Sequence, residues 1–272
     1  MNLLTRKVEF SAAHSYNVPE WTEEKNEKIF GLCSSKNGHG HDYLLEVTVA
    51  GKIDQKSGIV VNITDIDRVI KDVVLEQLDG KFLNREHPFF IKHIPTTENI
   101  VAYLWAELEG KFENCKLTKI ILHENPFLLS QKGEESMIQL TRKYHFSSAH
   151  RLHSDQLSDE ENKQVFGKCN NVNGHGHNYV LEVTVKGKPD PVTGMVMNLA
   201  ELDQVVDEVI IKKFDHKHLN LDTEEFKGLN PTAEVMTVVF WDMLHGSLPK
   251  LHKIGLWETA KNYFEYEGQT KE

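Results

Sequence analysis

Two stretches of the chain alternate apolar and polar residues with a period of two. In Tyr43-Leu-Leu-Glu-Val-Thr-Val-Ala the residues Tyr43, Leu45, Val47 and Val49 fall on one side, and Tyr179-Val-Leu-Glu-Val-Thr-Val-Lys repeats the pattern. Both are rich in β-branched residues and both stop at a glycine, Gly51 or Gly187, so the pattern predicts strands. The opening run from Leu4 to Phe10 and the run from Lys119 to Leu122 also read as strands. A different period appears from Asp65 to Leu78, where Ile66, Val69, Ile70, Val73 and Val74 recur at helical spacing. Its twin covers roughly Leu202 to Phe214. A second helix opens at Thr96-Thr97-Glu98, with threonine as the cap, and runs through Trp105 and Leu108. Thr232 and Glu234 open its equivalent. Each half therefore reads strand, strand, helix, helix, strand, strand. Grouped strands and grouped helices predict an α+β fold with an antiparallel sheet.

The two halves are copies. His14 and His150, Cys33 and Cys169, and His39 and His175 share one offset: 150 − 14 = 169 − 33 = 175 − 39 = 136 residues. The offset also holds for Pro95-Thr96 against Pro231-Thr232 and for Trp105 against Trp241. It slips to 258 − 124 = 134 where Leu-His-Glu124 matches Leu-Trp-Glu258, a difference that one loop absorbs. Two repeats of this length are too few and too long for a solenoid. They predict tandem domains of ordinary size, 1–134 and 135–272, joined near the polar stretch from Gln131 to Ser136.

Composition narrows the class. A net charge of −10, with 39% hydrophobic and 26% charged residues among 272, suits a soluble globular protein. The acidic balance and the lack of a basic cluster argue against a nucleic-acid partner. No apolar stretch approaches a membrane span, and Arg6 interrupts the start, so neither a membrane partner nor a signal peptide is expected. The three cysteines are odd in number, and two stand at equivalent repeat positions. That fits free thiols in a reducing, cytoplasmic setting better than a disulfide framework. Cys115 has no counterpart and reads as structural.

The chemistry concentrates in two motifs per repeat. Phe10-Ser-Ala-Ala-His14 is followed by Cys33-Ser-Ser-Lys-Asn-Gly-His39-Gly-His41, and Phe146-Ser-Ser-Ala-His150 by Cys169-Asn-Asn-Val-Asn-Gly-His175-Gly-His177. Side chains at i and i+2 leave a strand on the same face, so both imidazoles of His-Gly-His can meet one metal. His14 or His150, at the end of the neighbouring first strand, would complete a triad. Three neutral imidazoles with an open fourth position form the ligand set of a catalytic zinc. A nearby thiol suggests a base or nucleophile. One His-x-His alone could be an ordinary strand feature; the duplicated set of three makes a site the better reading. Asp215-His216 follows the first helix of repeat 2. Its spacing alone is equally that of a surface turn, although an Asp beside a His can relay a proton. Glu258 lies in a strand-like run and persists as Glu124.

Over nearly its whole length repeat 2 resembles the 6-pyruvoyltetrahydropterin synthase family. Phe146-Ser-Ser-Ala-His, Leu157-Ser-Asp-Glu-Glu-Asn, Phe166-Gly-Lys-Cys-Asn-Asn, Asn173-Gly-His-Gly-His-Asn-Tyr, Thr193-Gly-Met-Val-Met-Asn-Leu and Trp257-Glu-Thr carry the resemblance. It implies a T-fold, a four-stranded antiparallel sheet with two helices on one face. It implies Zn2+ on His150, His175 and His177, a catalytic Cys169 with its pKa lowered by nearby positive charge, and a proton relay through Asp215 and His216. It implies that Glu258 anchors a pterin ring, aided by Thr232 and Glu234. The implied reaction converts 7,8-dihydroneopterin triphosphate to 6-pyruvoyl-tetrahydropterin with loss of triphosphate. The step of 175 − 169 = 6 residues from cysteine to histidine resembles these enzymes more than the 6-carboxytetrahydropterin synthases, which remain the alternative. An alternative of another class is a non-catalytic pterin-binding scaffold.

Repeat 1 keeps His14, His39, His41, Cys33 and Glu124 but reads Asp79-Gly80 where repeat 2 reads Asp215-His216, and Leu32 where repeat 2 has Lys168. Glycine cannot carry a proton, so repeat 1 is expected to bind metal with impaired catalysis. The resemblance further implies assembly. Three two-domain chains, a homotrimer, would supply six T-fold units, with rings built from like repeats.

Overall fold

The computed structural model describes residues 1–268. In the first half the elements are β1 (Asn2–His14), α1 (Glu23–Phe30), β2 (His39–Gly51), α2 (Ile63–Ile70), α3 (Glu76–Leu78), β3 (Lys81–Phe82), α4 (Leu83–Glu86), α5 (Thr97–Leu108), β4 (Cys115–Asn125) and β5 (Leu128–Gly133). The second half repeats them as β6 (Ile138–His150), α6 (Asp159–Phe166), β7 (His175–Gly187), α7 (Leu199–Val206), α8 (Lys212–Phe214), β8 (Lys217–His218), α9 (Leu219–Asp222), α10 (Ala233–His245), β9 (Leu251–Thr259) and β10 (Asn262–Tyr266). The fold is α+β, as the hydrophobic pattern predicts. The pattern omits α1 and α6, which are short, polar and without a long apolar stripe. Their signal lies in the caps instead. Ser158 Oγ accepts from Glu161 N–H while Glu161 Oε2 accepts from Ser158 N–H, a closed capping box. The expected join from Gln131 to Ser136 is half strand, since β5 runs to Gly133.

The first long helix is one run in both halves. α2 passes through a π-helical stretch, Lys71–Leu75, into α3, and α7 passes through Asp207–Ile211 into α8. Its buried stripe is Ile66, Ile70, Val74 and Leu78, matched by Leu202, Val206, Ile210 and Phe214. A strict spacing of four exceeds the α-helical repeat, so the stripe would rotate by roughly 40° at each step. The wider π turn takes up that surplus and keeps the stripe facing inward.

The chain divides into two compact units. Unit 1 is Met1–Thr141 with Lys186–Ala200, and unit 2 is Arg142–Val185 with Glu201–Glu272. In unit 1 the sheet order is β5-β4-β2-β1, every neighbouring pair antiparallel, with β3 added parallel to the end of β1. Tyr43, Leu45, Val47 and Val49 are wholly buried on one sheet face. α5 packs against β4 and β5 with Ile100, Val101, Leu104 and Leu108 inward. Unit 2 has the order β10-β9-β7-β6, with β8 on β6 and α10 against β9 and β10.

The segment Lys186–Ala200 belongs to repeat 2 in sequence and to unit 1 in space. Specific bonds hold it there. Thr96 Oγ1 donates to Gly194 O at 2.7 Å, Val196 N–H donates to Glu98 Oε1 at 2.8 Å, and Asn198 Nδ2 donates to Ile29 O at 3.0 Å. Met195 joins an apolar cluster of Tyr16, Val18, Phe30 and Ile94. The repeat boundary read from sequence and the spatial boundary therefore differ by this segment and by residues 135–141, which unit 1 also holds.

Candidate active site

The register of β1 against β2 builds the histidine triad. His14 lies opposite His39, Ala12 opposite His41 and Phe10 opposite Tyr43. Directly paired residues share a face, so His14, His39 and His41 all stand on the face that buries Tyr43. One ligand atom from each of the three lies within 4.8 Å of the others, and His150, His175 and His177 converge in the same way. His14 Nε2 is 3.1 Å from His39 Nε2, and His150 Nε2 is 3.2 Å from His175 Nε2.

The remaining ring nitrogens orient these groups. His14 Nδ1 lies 3.0 Å from Pro95 O, and His150 Nδ1 lies 2.9 Å from Pro231 O. A carbonyl only accepts, so Nδ1 carries the proton and Nε2 turns its lone pair to the other rings. Burial, and then its two neighbouring rings, push His14 down to about 3. Burial also lowers His39, His41, His150 and His175. Neutral imidazoles with converging lone pairs repel unless something electrophilic sits between them. His41 Nε2 and His177 Nε2 are buried without a hydrogen-bond partner. Orphaned nitrogens aimed into a triad fit a bound cation.

A carboxylate borders each triad. Glu124 Oε1 is 3.6 Å from His41 Nε2, and Glu258 Oε1 is 3.8 Å from His177 Nε2 and 4.0 Å from His150 Nε2. Cys33 and Cys169 follow α1 and α6 in single 3₁₀ turns, both partly buried. Burial, and then Glu258, push the Cys169 thiol up.

Asp215 and His216 sit on the edge of the sheet. His216 Nδ1 is 2.9 Å from Asp215 Oδ1, and the ring is largely exposed. His216 borders an open groove of about 500 Å³ shared with Ser147, His177, Asn178 and Lys217. Among the described residues no hydrogen bond joins Cys169 to Asp215 or His216. Asp215 Oδ1 also accepts from Ser147 N–H at 2.8 Å, and Asp79 Oδ1 accepts from Ser11 N–H at 2.9 Å. The aspartate therefore ties its loop to the sheet in both repeats. His216 has φ of 57°, and its counterpart Gly80 has 71°. Repeat 1 thus holds the residue suited to this backbone, while repeat 2 holds a strained histidine.

Thr232 caps α10, its Oγ1 accepting from Val235 N–H at 3.4 Å, while Glu234 is exposed. The matching Glu98 is buried and accepts from Val196 N–H. The sequence reading used Glu98 only as a helix opener, because its partner is 98 residues away. Tyr16 was also missed. Its hydroxyl donates to Glu124 Oε2 at 3.4 Å, and nothing local in the sequence marks it.

Comparison with known proteins identifies the class. The profile of the family described as 6-pyruvoyl tetrahydropterin synthase matches residues 3–131 and again 139–269. The chain belongs to this family, in tandem duplicate. A 6-pyruvoyl tetrahydrobiopterin synthase of Poecilia reticulata is 52% identical over 132 residues, which cover 48% of this chain and 90% of that protein. The Homo sapiens protein of the same name is 48% identical over 139 residues, 50% of this chain and 96% of that one. The solved structure of the Caenorhabditis elegans 6-pyruvoyl tetrahydropterin synthase is 43% identical, with a TM-score of 0.48, and covers 49% of this chain and 96% of its own. Among the described residues no helix is long and apolar enough to cross a membrane.

Proposed function

We propose that this chain converts 7,8-dihydroneopterin triphosphate to 6-pyruvoyl-tetrahydropterin, eliminating triphosphate, at the site of repeat 2. The observation that carries the reading is the complete constellation there. Three converging imidazoles stand beside Glu258, with Cys169 and the Asp215–His216 pair intact, in a member of this family. Identities near 50% to synthases of the pyruvoyl type favour this product over the carboxy product. No redox cofactor is needed, because one substrate carbon is oxidised as another is reduced.

The residues divide the work. His150, His175 and His177 would hold Zn2+, and His14, His39 and His41 a second ion. Zinc bound there would supply Lewis-acid polarisation of substrate side-chain oxygens and positive charge beside the thiol. Cys169, once ionised, takes a carbon-bound proton. His216, held by Asp215, moves protons at the other face of the substrate. Glu258 accepts from the ring N–H and amino donors of the pterin, with the Thr232 and Glu234 segment beside it. His216 is exposed and not bonded to Cys169, so the site is completed when copies of the chain assemble. Three chains are the expected number, in a cytoplasmic, reducing setting. Rings built from like repeats are the proposed arrangement.

Incubation with 7,8-dihydroneopterin triphosphate followed by mass analysis of the pterin tests the reading. The pyruvoyl product with released triphosphate is expected. A carboxy product would move the chain to the alternative synthase, and unchanged substrate would leave a binding scaffold. Mass measurement in solution tests the trimer, and a stable monomer or dimer of chains would defeat it.

A further inference from the structure

Tyr16 and Leu152 occupy one backbone position in the two repeats. Tyr16 N–H donates to Cys33 O at 2.7 Å, and Leu152 N–H donates to Cys169 O at 2.8 Å. The side chains differ in what they reach. Tyr16 is 4% exposed, with its ring edge-on to His14 at 4.9 Å between centroids and to Phe30 at 5.9 Å. Its hydroxyl meets Glu124 Oε2 at 3.4 Å, while the other oxygen of that carboxylate faces His41. The phenol therefore fills the space bounded by the histidine triad, the carboxylate and the 3₁₀ turn of Cys33. Val18, Ile94 and Met195 close around it. A leucine offers no hydroxyl, and Glu258 Oε2 instead accepts from the exposed Asn262 Nδ2 at 3.3 Å.

We propose that Tyr16 is a built-in occupant of the ring-binding position of repeat 1, so that this chain takes one pterin, in repeat 2, and none in repeat 1. The inference rests on the reading of Glu258 as the pterin anchor. A flat bicyclic ring that offers N–H donors to a carboxylate needs an open slot beside it. In repeat 1 an aromatic side chain fills that slot and presents its own donor. A buried carboxylate without a donor would be costly, so the hydroxyl also settles Glu124 in a site that no ligand enters. None of the three histidines is displaced, so metal binding in repeat 1 is retained. The position thus separates two properties that the family motif alone would leave joined: a metal site in both repeats, and ring recognition in one.

The test counts pterin bound per chain. Neopterin lacks the triphosphate leaving group and is not turned over, so equilibrium binding to the full chain reads stoichiometry directly. One neopterin per chain is expected for the wild type, two for Tyr16→Leu, and one again for Tyr16→Leu with Glu124→Ala. Tyr16→Phe, which keeps the ring, should stay at one. Two per wild-type chain, or one per folded Tyr16→Leu chain, would overturn the inference. Should Tyr16→Leu not fold, Glu258→Ala alone decides. It leaves only repeat 1, so no binding supports the inference and one bound pterin overturns it. Failure of every protein, wild type included, to bind neopterin would defeat the anchor reading together with the inference. Binding by the wild type with no second site opened defeats the inference alone.

Discussion

His216 carries the sharpest conflict between stability and chemistry. It is one of two non-glycine residues with positive φ among those described, and repeat 1 has glycine at its place. A left-handed non-glycine residue costs about 1–2 kcal/mol, and glycine returns about 0.5–1 kcal/mol of that through the entropy of the unfolded chain. His216→Gly should therefore stabilise the fold by a few tenths to about 1 kcal/mol in denaturant titration while abolishing turnover. A clear loss of stability would mean that the ring is needed structurally. The two cysteines should separate as cleanly. Cys169→Ala should lower turnover by about 10²–10⁴-fold, the usual cost of a lost general base, and Cys33→Ala should change it little. Equal damage from both would end the assignment of catalysis to repeat 2. The triads also set a pH window. His14 titrates at about 3 in the folded chain against 6.5 in the unfolded one. The unfolded state therefore takes up protons first. Stability of chelator-treated protein should fall as pH drops below about 6.5 and continue falling toward 3, with no contribution from this group above 6.5. Unchanged denaturation midpoints between neutral pH and pH 5 would contradict this.

At the scale of elements, one aspartate does two jobs that can be pulled apart. Asp79 and Asp215 both accept a backbone N–H from the first strand of their repeat, which pins the loop after the long helix. An exposed bond of this kind contributes about 0.5–1.5 kcal/mol. Asp79→Ala should destabilise by that amount and leave turnover intact, while Asp215→Ala should lose both stability and turnover. Thermal melts and product assays on the same samples decide it. If Asp215→Ala melted like its counterpart yet kept full turnover, the relay role would be withdrawn. The π-helical stretches argue for the same economy of parts. Both repeats keep the wide turn because both keep a buried stripe at intervals of four, whatever each repeat does chemically.

The whole molecule joins two sites of different completeness. Both triads are built alike, so fully loaded protein should hold two zinc ions per chain by metal analysis. One ion per chain would show that the repeat 1 triad is not a metal site, and none in protein never exposed to chelator would remove both. Unit 1 also carries a segment of repeat 2 over its own site. Glu98, buried and bonded to Val196 N–H, belongs to that closure, and burial pushes its carboxyl up. Among the described residues the matching Glu234 is exposed.

What the sequence determined by itself is whatever short-range geometry dictates. A period of two fixes which side of β2 and β7 is buried, and so places His39 with His41 and His175 with His177. A fixed offset exposes the duplication, and a glycine in place of His216 marks the weaker repeat. The short helices α1 and α6 escaped this reading, because their signal lies in the caps and not in apolar periodicity. Other features required the folded chain. The register that sets His14 against His39 depends on how two strands slide, which no local pattern specifies. The upward push on Cys169 comes from burial and from Glu258, brought close only by folding. The bond from Tyr16 to Glu124 spans 108 residues and that from Val196 to Glu98 spans 98. Contacts at such separations are selected by packing and solvent exclusion over the whole unit, so only the tertiary structure decides what packs beside each of two nearly identical motifs.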